Sequence, residues 1–363
     1  MMTVRSMTLR LTAALAVLPA AWMAAATPAS AQPFEPQRLT RPWPSVESGA
    51  GGVRVSYPSH SPFTLSDARS RSARRNPKTR AKATLYLPKG ASRGEPAPAV
   101  ILLHGAGGVL YNREPVYGAQ FARMGVAALV VHVYGARNDA ARGFVGRLLN
   151  ITEAMFLADA YAGLRYLAKR PEIDGRRVAL VGFSYGGMVA MYAAYRQVAR
   201  TYAADGLRFG AHIAYYGPCI ARFADSRATG APLLMLMGAG DAITDPARCA
   251  TVARDLRSGG TPVRAIVYQG AYHQWDGNWK GPFRIGRNLA PCRYWVHRDG
   301  MIRDLRTLLP MSDPLTRKIT LGLCTSPEGY MIAADRRIRA LSNRDVGRFL
   351  AKVFTPKAAN LDR

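Results

Sequence analysis

Acidic residues are scarce in this chain: 23 Asp and Glu stand against 50 Lys and Arg among 363 residues, a formal net charge of +27. Such a balance draws anionic surfaces, nucleic acids and acidic substrates. The basic residues are spread along the chain with Arg dominant, which counts against a specific nucleic-acid partner. The densest stretch is Arg69, Arg71, Arg74, Arg75, Lys78, Arg80 and Lys82, with no acid among them. It reads most simply as a solvated loop. Cysteine is scarce too. The four that occur have no C-x-x-C spacing and the six His are scattered, so no zinc site is expected, nor any other metal or cofactor. Past the N-terminus no apolar run reaches the roughly 20 residues of a bilayer span, so no stable membrane span is expected. There is no internal repeat and no low-complexity segment.

What the sequence does have begins with a leader. Arg5 and Arg10 precede an uncharged, mostly apolar run of 16 residues, Leu11 to Ala26, interrupted by Pro19. Ala29-Ser30-Ala31 then supplies the small-x-small form a signal peptidase needs. Residues 1–31 read as a cleaved secretory signal, with the mature chain starting near Gln32. No Cys lies near the cut, which argues against a lipid anchor. The expected destination is the periplasm or the medium. In that setting an even count of cysteines suggests disulfides. Of the three pairings of Cys219, Cys249, Cys292 and Cys324, Cys219–Cys249 with Cys292–Cys324 closes the most local loops.

Residues 32–82 read as an irregular leader rich in Pro, Gly and Ser, a first strand at Val53 to Tyr57, and the basic loop. From residue 83 to the end the pattern predicts one α/β domain, with a C-terminal extension from about 282. Strands are predicted at Ala83–Leu87 (an edge), Ala99–Leu103, Val126–Val133, Arg177–Phe183, Phe209–Tyr215, Leu233–Met237 and Val263–Tyr268. Helices are predicted near 115–124, 151–169, 185–199 and 246–257, then near 300–309 and 343–354. Residues 134–149 read as a loop or small cap. Continuous apolar strands alternating with helices predict a mostly parallel sheet with helices on both faces.

Gly182-Phe183-Ser184-Tyr185-Gly186-Gly187 falls where an apolar strand turns into a helix. That is the context of a nucleophile elbow, a strained turn that exposes the serine hydroxyl above the sheet. A serine needs a base. In the order nucleophile, acid, histidine, the base reads as His273, just after a strand, with His297 in reserve. The acid reads as Asp241 after Leu233–Met237, with Asp245 as competitor. His212 falls inside a strand and suits the core. The oxyanion needs two backbone donors. These are expected from Tyr185, next to the nucleophile, and Ala106 in His104-Gly105-Ala106-Gly107-Gly108. His104 itself reads as a brace for that loop. Tyr134, Arg137, Arg142 and Arg147 lie in the segment expected to overhang the site. They are candidates for binding a substrate carboxylate. Trp275 and Trp279 are candidates for lining a pocket.

Leu102-Leu103-His104-Gly105-Ala106-Gly107-Gly108, the Ser184 elbow, Gly238-Ala239-Gly240-Asp241 and Gly270-Ala271-Tyr272-His273 together resemble the dienelactone hydrolase family, over about residues 80–280. The resemblance implies an α/β-hydrolase fold with Ser184 as nucleophile, Asp241 as acid, His273 as base, and Tyr185 and Ala106 as oxyanion donors. The family proper carries Cys in the elbow; Ser184 is similar to its exported, serine-bearing members. Those relatives also carry a Cys after the fourth strand and another shortly after the acid. Cys219 and Cys249 match them, which supports that pair as a bridge. The expected activity is therefore hydrolysis of a small carboxylic ester or lactone, anionic if the arginines bind it, through an acyl-enzyme. The competing readings are a peptidase or amidase on the same three residues, and a non-catalytic envelope protein binding anionic glycan or nucleic acid.

Overall fold

Alternating side chains of the strand Ala97–Leu103 leave on opposite faces, and both faces are apolar and buried. Ala99, Ile101 and Leu103 enter one hydrophobic cluster, while Val100 and Leu102 enter another. A strand buried on both sides needs helices above and below it, and this requirement organises the fold. The computed structural model describes residues 34–47 and 51–355. The leader read at 1–31 lies outside them.

In chain order the elements are α1 (Gln37–Thr40), β1 (Gly52–His60), α2 (Leu65–Ala68), β2 (Lys78–Tyr86), β3 (Ala97–Leu103), α3 (Glu114–Arg123) and β4 (Ala127–Val131). Then come α4 (Gly143–Asn150), α5 (Glu153–Ala168), β5 (Ile173–Phe183), α6 (Tyr185–Tyr192), α7 (Arg196–Tyr202), β6 (Ala211–Tyr215) and β7 (Ala221–Phe223). They are followed by β8 (Leu233–Gly238), α8 (Pro246–Ser258), β9 (Val263–Tyr268), β10 (Phe283–Ile285), β11 (Tyr294–Val296) and β12 (Ile302–Asp304). The last are α9 (Pro314–Cys324), β13 (Tyr330–Ile332) and α10 (Arg336–Phe354). Eight strands form the main sheet in the order β1-β2-β4-β3-β5-β6-β8-β9. β1, β2 and β4 pair antiparallel, and every later pairing is parallel. This is the α/β-hydrolase fold expected from the alternation of strands and helices. The apolar faces of α5, α6 and α8 fill one cluster; those of α3 and α10 fill the other. Among the described residues, no helix is long and apolar enough to cross a membrane.

Several expectations need correction. The basic stretch is a loop only as far as Pro77. From Lys78 it is strand β2, in which Lys78, Arg80 and Lys82 point outward while Ala81 and Ala83 point into the core. β2 is also not the edge, because β1 pairs along its whole length. The helix expected at 185–199 breaks at Ala193–Tyr195. There the backbone bonds elsewhere, Arg196 N–H to the Arg227 carbonyl and Thr229 N–H to the Ala194 carbonyl. Residues 143–150, read as loop or cap, form helix α4. No helix occupies 300–309. Asp304 instead accepts the N–H groups of Arg306 and Thr307, so that strand β12 ends in a side-chain-capped turn. The helix lies further on, as α9, where Asp313 provides a capping box. α10 starts earlier than expected because Asp335 caps it at Arg336.

The extension after residue 282 folds back over the carboxyl ends of the strands. β10 pairs with β13, and β11 pairs with both β12 and β7. Two disulfides link Cys219 to Cys249 and Cys292 to Cys324. The second closes a separation of 32 residues and carries α9. Removing it as Cys292→Ser/Cys324→Ser lowers unfolding free energy by about 3–4 kcal/mol from chain entropy. Chemical denaturation of the double variant measures this; a change under about 1 kcal/mol rejects it.

Candidate active site

β5 runs straight into α6, and the junction must turn within one residue. Ser184 takes the strain, with φ 53° and ψ −114°. A side chain at Gly182 would place its Cβ 1.9 Å from the Gly186 carbonyl oxygen, and one at Gly186 would meet the Leu103 oxygen at 2.4 Å. Only glycine allows the turn to close against β3. The Ser184 N–H donates to the Tyr215 carbonyl at 2.9 Å, which locks the elbow to β6.

The acid and histidine segments follow β8 and β9. The Gly240 N–H donates to the Ala271 carbonyl at 2.9 Å, strapping the two loops together. His273 Nδ1 lies 2.8 Å from Asp241 Oδ2, and its Nε2 lies 2.9 Å from Ser184 Oγ. Asp241 also accepts from the Ile243 N–H and the Thr244 hydroxyl. Ser184 is 7 % exposed, Asp241 2 % and His273 0 %. The structure thus brings Ser184, Asp241 and His273 into one hydrogen-bonded line. The competitor Asp245 is occupied elsewhere, capping α8 through the Arg248 N–H. His297 sits at the β11–β12 turn, where its carbonyl accepts from Gln197.

The loop after β3 presses on the serine: a Cβ on Gly105 would lie 3.2 Å from Ser184 Cβ. A tight turn, Gly108 N–H to the Gly105 carbonyl, shapes it. Arg147 pins it from α4 by donating to the Gly107 carbonyl at 2.9 Å. Ala106 stands at the tip of this turn and Tyr185 at the first position of α6, where an N–H has no partner within the helix. His104 packs beneath, with Nδ1 2.7 Å from the Gly105 carbonyl, and its burial pushes the imidazole down to about 3. It braces the loop as a neutral ring. His212 is buried in β6 and likewise pushed down to about 3 by its surroundings.

Two substrate-binding candidates fall away. Arg137 spends its guanidinium on Asp159, at 2.7 and 3.1 Å, and on Ser61 and the carbonyls of Val133 and His60. It ties the segment after β4 to α5 and β1 and has no donor left for a ligand. Trp275 is fully buried, donates to Ser342 on α10 at 3.1 Å, and packs against Tyr216 and Tyr268. Both are structural because their polar atoms already have buried partners. Tyr134 does lie at the site, its ring 4.6 Å from His104 and under the Arg147 guanidinium. Trp279 packs against Phe283 beside the small cluster of Ile243, Tyr330 and Ile332.

Other contributors carry no signal at the sequence level. β13 clamps the histidine: the His273 N–H donates to the Met331 carbonyl, and the Ala333 N–H to the His273 carbonyl, both at 3.2 Å. Tyr330 and Tyr216 present ring edges to the imidazole at 5.1 and 4.8 Å. On the far face of the elbow Arg113 lies over the Phe183 ring and donates to Glu114 and to the Tyr216 hydroxyl. The Tyr185 hydroxyl donates to Glu153 at 2.7 Å, and Arg317 of α9 donates to both Glu153 and the Tyr185 oxygen at 3.1 Å. Neither Glu153 nor Arg317, which lies far along the chain in the extension, is marked by any motif. Burial alone would raise the Glu153 pKa, but Arg317 and the Tyr185 hydroxyl outweigh it and hold the carboxyl below its usual range.

Arg317→Met leaves Glu153 buried without a counter-charge and costs about 3–5 kcal/mol, while Glu153→Leu/Arg317→Met recovers most of the loss. Because the folded-state pKa is depressed, this contribution is present above the unfolded carboxyl pKa and disappears as pH falls through the folded one. The wild-type advantage over the double variant therefore shrinks below about pH 4.5. Denaturation of the three proteins between neutral and acid pH measures both effects; equal stabilities of the single and double variants would contradict them.

A family model described as "Dienelactone hydrolase family" matches residues 81–279. A dienelactone hydrolase-like promiscuous phosphotriesterase, P91, from metagenomic libraries shares 18% identity with a TM-score of 0.48. The match covers 83% of this chain and 99% of that one. A putative dienelactone hydrolase from Klebsiella pneumoniae subsp. pneumoniae shares 21% identity with a TM-score of 0.43, covering 62% of this chain and 89% of that one. An esterase of Thermogutta terrifontis, phosphoramylated by tabun, shares 15% identity with a TM-score of 0.47, covering 76% and 92%. No curated protein matches the chain.

Proposed function

As the chain belongs to the dienelactone hydrolase family and is a hydrolase of ester bonds, we propose that it cleaves a carboxylic ester or lactone through an acyl-enzyme on Ser184. The observation that carries the reading is the 2.9 Å contact from Ser184 Oγ to His273 Nε2, continued at 2.8 Å from His273 Nδ1 to Asp241.

Ser184 Oγ attacks the carbonyl carbon while His273 Nε2 takes its proton. Asp241 accepts from Nδ1–H, which sets the tautomer and stabilises the imidazolium. The N–H groups of Tyr185 and Ala106 hold the oxyanion as the carbonyl bond opens. Collapse expels the alkoxide, which takes the proton from His273. Water, deprotonated by the same imidazole, then attacks the acyl carbon; Ser184 regains its proton and the acid leaves. The Ile243 N–H and the Thr244 hydroxyl donate to the Asp241 carboxylate and hold it facing the imidazole. The anionic substrate once expected of Arg137 drops out of this reading. Two disulfides suit an oxidising compartment, and with the leader they support an exported enzyme.

A fluorophosphonate probe is expected to label the purified protein at Ser184. Ser184→Ala lowers turnover of an aryl ester by about 10⁴-fold or more, and Asp241→Asn by up to about 10⁴-fold. Labelling located at another residue, or aryl-ester turnover that survives Ser184→Ala, overturns the proposal.

A further inference from the structure

A cluster of arginines lines an open depression of about 540 Å³ away from the serine. Four separate segments of the chain deliver five guanidiniums to it: Arg69 after α2, Arg196 and Arg200 on α7, Arg227 after β7, and Arg298 after β11. A single carboxylate, Asp225, lines the same depression, and it is already bound by Arg227 at 2.8 and 2.6 Å. Arg69 is held in place by donating to Thr201 at 3.0 Å and to the Arg298 carbonyl at 2.7 Å. Arg196, Arg200 and Arg298 are exposed, and their guanidiniums have no acceptor among the described residues.

Like charges gathered from distant parts of a chain repel one another, and a single carboxylate faces these five. Guanidinium forks match tetrahedral oxyanions in a bidentate way. A second observation narrows the ligand. Gln197 also lines the depression and is 6 % exposed. Its amide nitrogen donates to the His297 carbonyl, which fixes the side chain, while its Oε1 is buried with no partner. An acceptor beside the arginines suits a ligand hydroxyl, since a buried polar atom left unpaired is costly. No aromatic side chain lines the depression. Grooves for single-stranded nucleic acid combine positive charge with stacking rings, so the lining speaks against that ligand.

We propose that this depression binds a phosphorylated or sulfated saccharide, its oxyanions on Arg196, Arg200 and Arg298 and a hydroxyl on Gln197 Oε1. The basic run that the sequence singled out takes part only through its first member, Arg69.

The test is calorimetric titration of the full chain with glucose 1,6-bisphosphate, which carries two phosphates and free hydroxyls, at low and moderate salt. Single-site binding is expected, weakening as salt rises. Arg196→Gln/Arg200→Gln/Arg298→Gln should weaken it at least tenfold. Arg254→Gln/Arg344→Gln/Arg348→Gln removes equal charge from exposed positions elsewhere and should change it less than threefold. Gln197→Leu should weaken the bisphosphate severalfold while leaving pyrophosphate, which has no hydroxyl, unaffected. Aryl-ester turnover should be unchanged in all three variants, which establishes that they are folded. Absence of saturable binding overturns the proposal, as do equal losses in the two triple variants. A single-stranded oligonucleotide that binds more tightly than the sugar at equal phosphate also overturns it, in favour of nucleic acid.

Discussion

Two backbone hydrogen bonds hold His273 in place, one from its N–H to Met331 and one to its carbonyl from Ala333. The residue lies in a loop beyond β9, and a loop alone does not hold an imidazole between a serine and an aspartate. Borrowing a strand from the extension makes the loop one rung of a small ladder. Tyr330, on the same strand, then packs its edge on the ring. The line from Asp241 to Ser184 therefore depends on residues some sixty positions beyond the histidine, and the Cys292–Cys324 disulfide lies between the two.

A second constraint is the handling of buried charge. Arg113 with Glu114, Arg137 with Asp159, and Arg317 with Glu153 are all ion pairs inside the protein. Such pairs contribute little net stability, because desolvation offsets their attraction. Their effect is positional. Arg137 joins α5 to β1. Arg113 backs Phe183 on the far side of the elbow. Arg317 reaches from α9 to the hydroxyl of Tyr185. Two of the three thus brace the residues on either side of Ser184, and His273 is braced separately by β13. The hydroxyl itself is left free to meet the imidazole.

Much of this was legible in the chain. Strands β3, β4, β6 and β8 and the second half of β5 read as apolar runs because both of their faces are buried, β9 reads as a strand although it is a partly exposed edge, and the helices between them read by period. The candidate nucleophile, acid and base were each legible as well, since each follows directly on such a strand. The extension was not. Its strands are three residues long, too short for any period. They form because they find partners in one another, in β7 and in the loop at His273, not because of their own composition. The same holds for Arg137 and Trp275. An arginine near a site and a tryptophan after a histidine look alike in sequence whether they face a substrate or the core. Only the positions of Asp159 and Ser342 decide which.

The sequence by itself determined the layered α/β architecture, the Ser184 turn and the order of its partners, because these follow from local rules: apolar runs, glycine where a Cβ cannot fit, and chain order. Tertiary structure alone decided which buried charges meet, which strand clamps the histidine, and which arginines converge around Gln197. Most of those outcomes join residues tens to hundreds of positions apart, and their energies depend on desolvation and packing that exist only once the chain has folded.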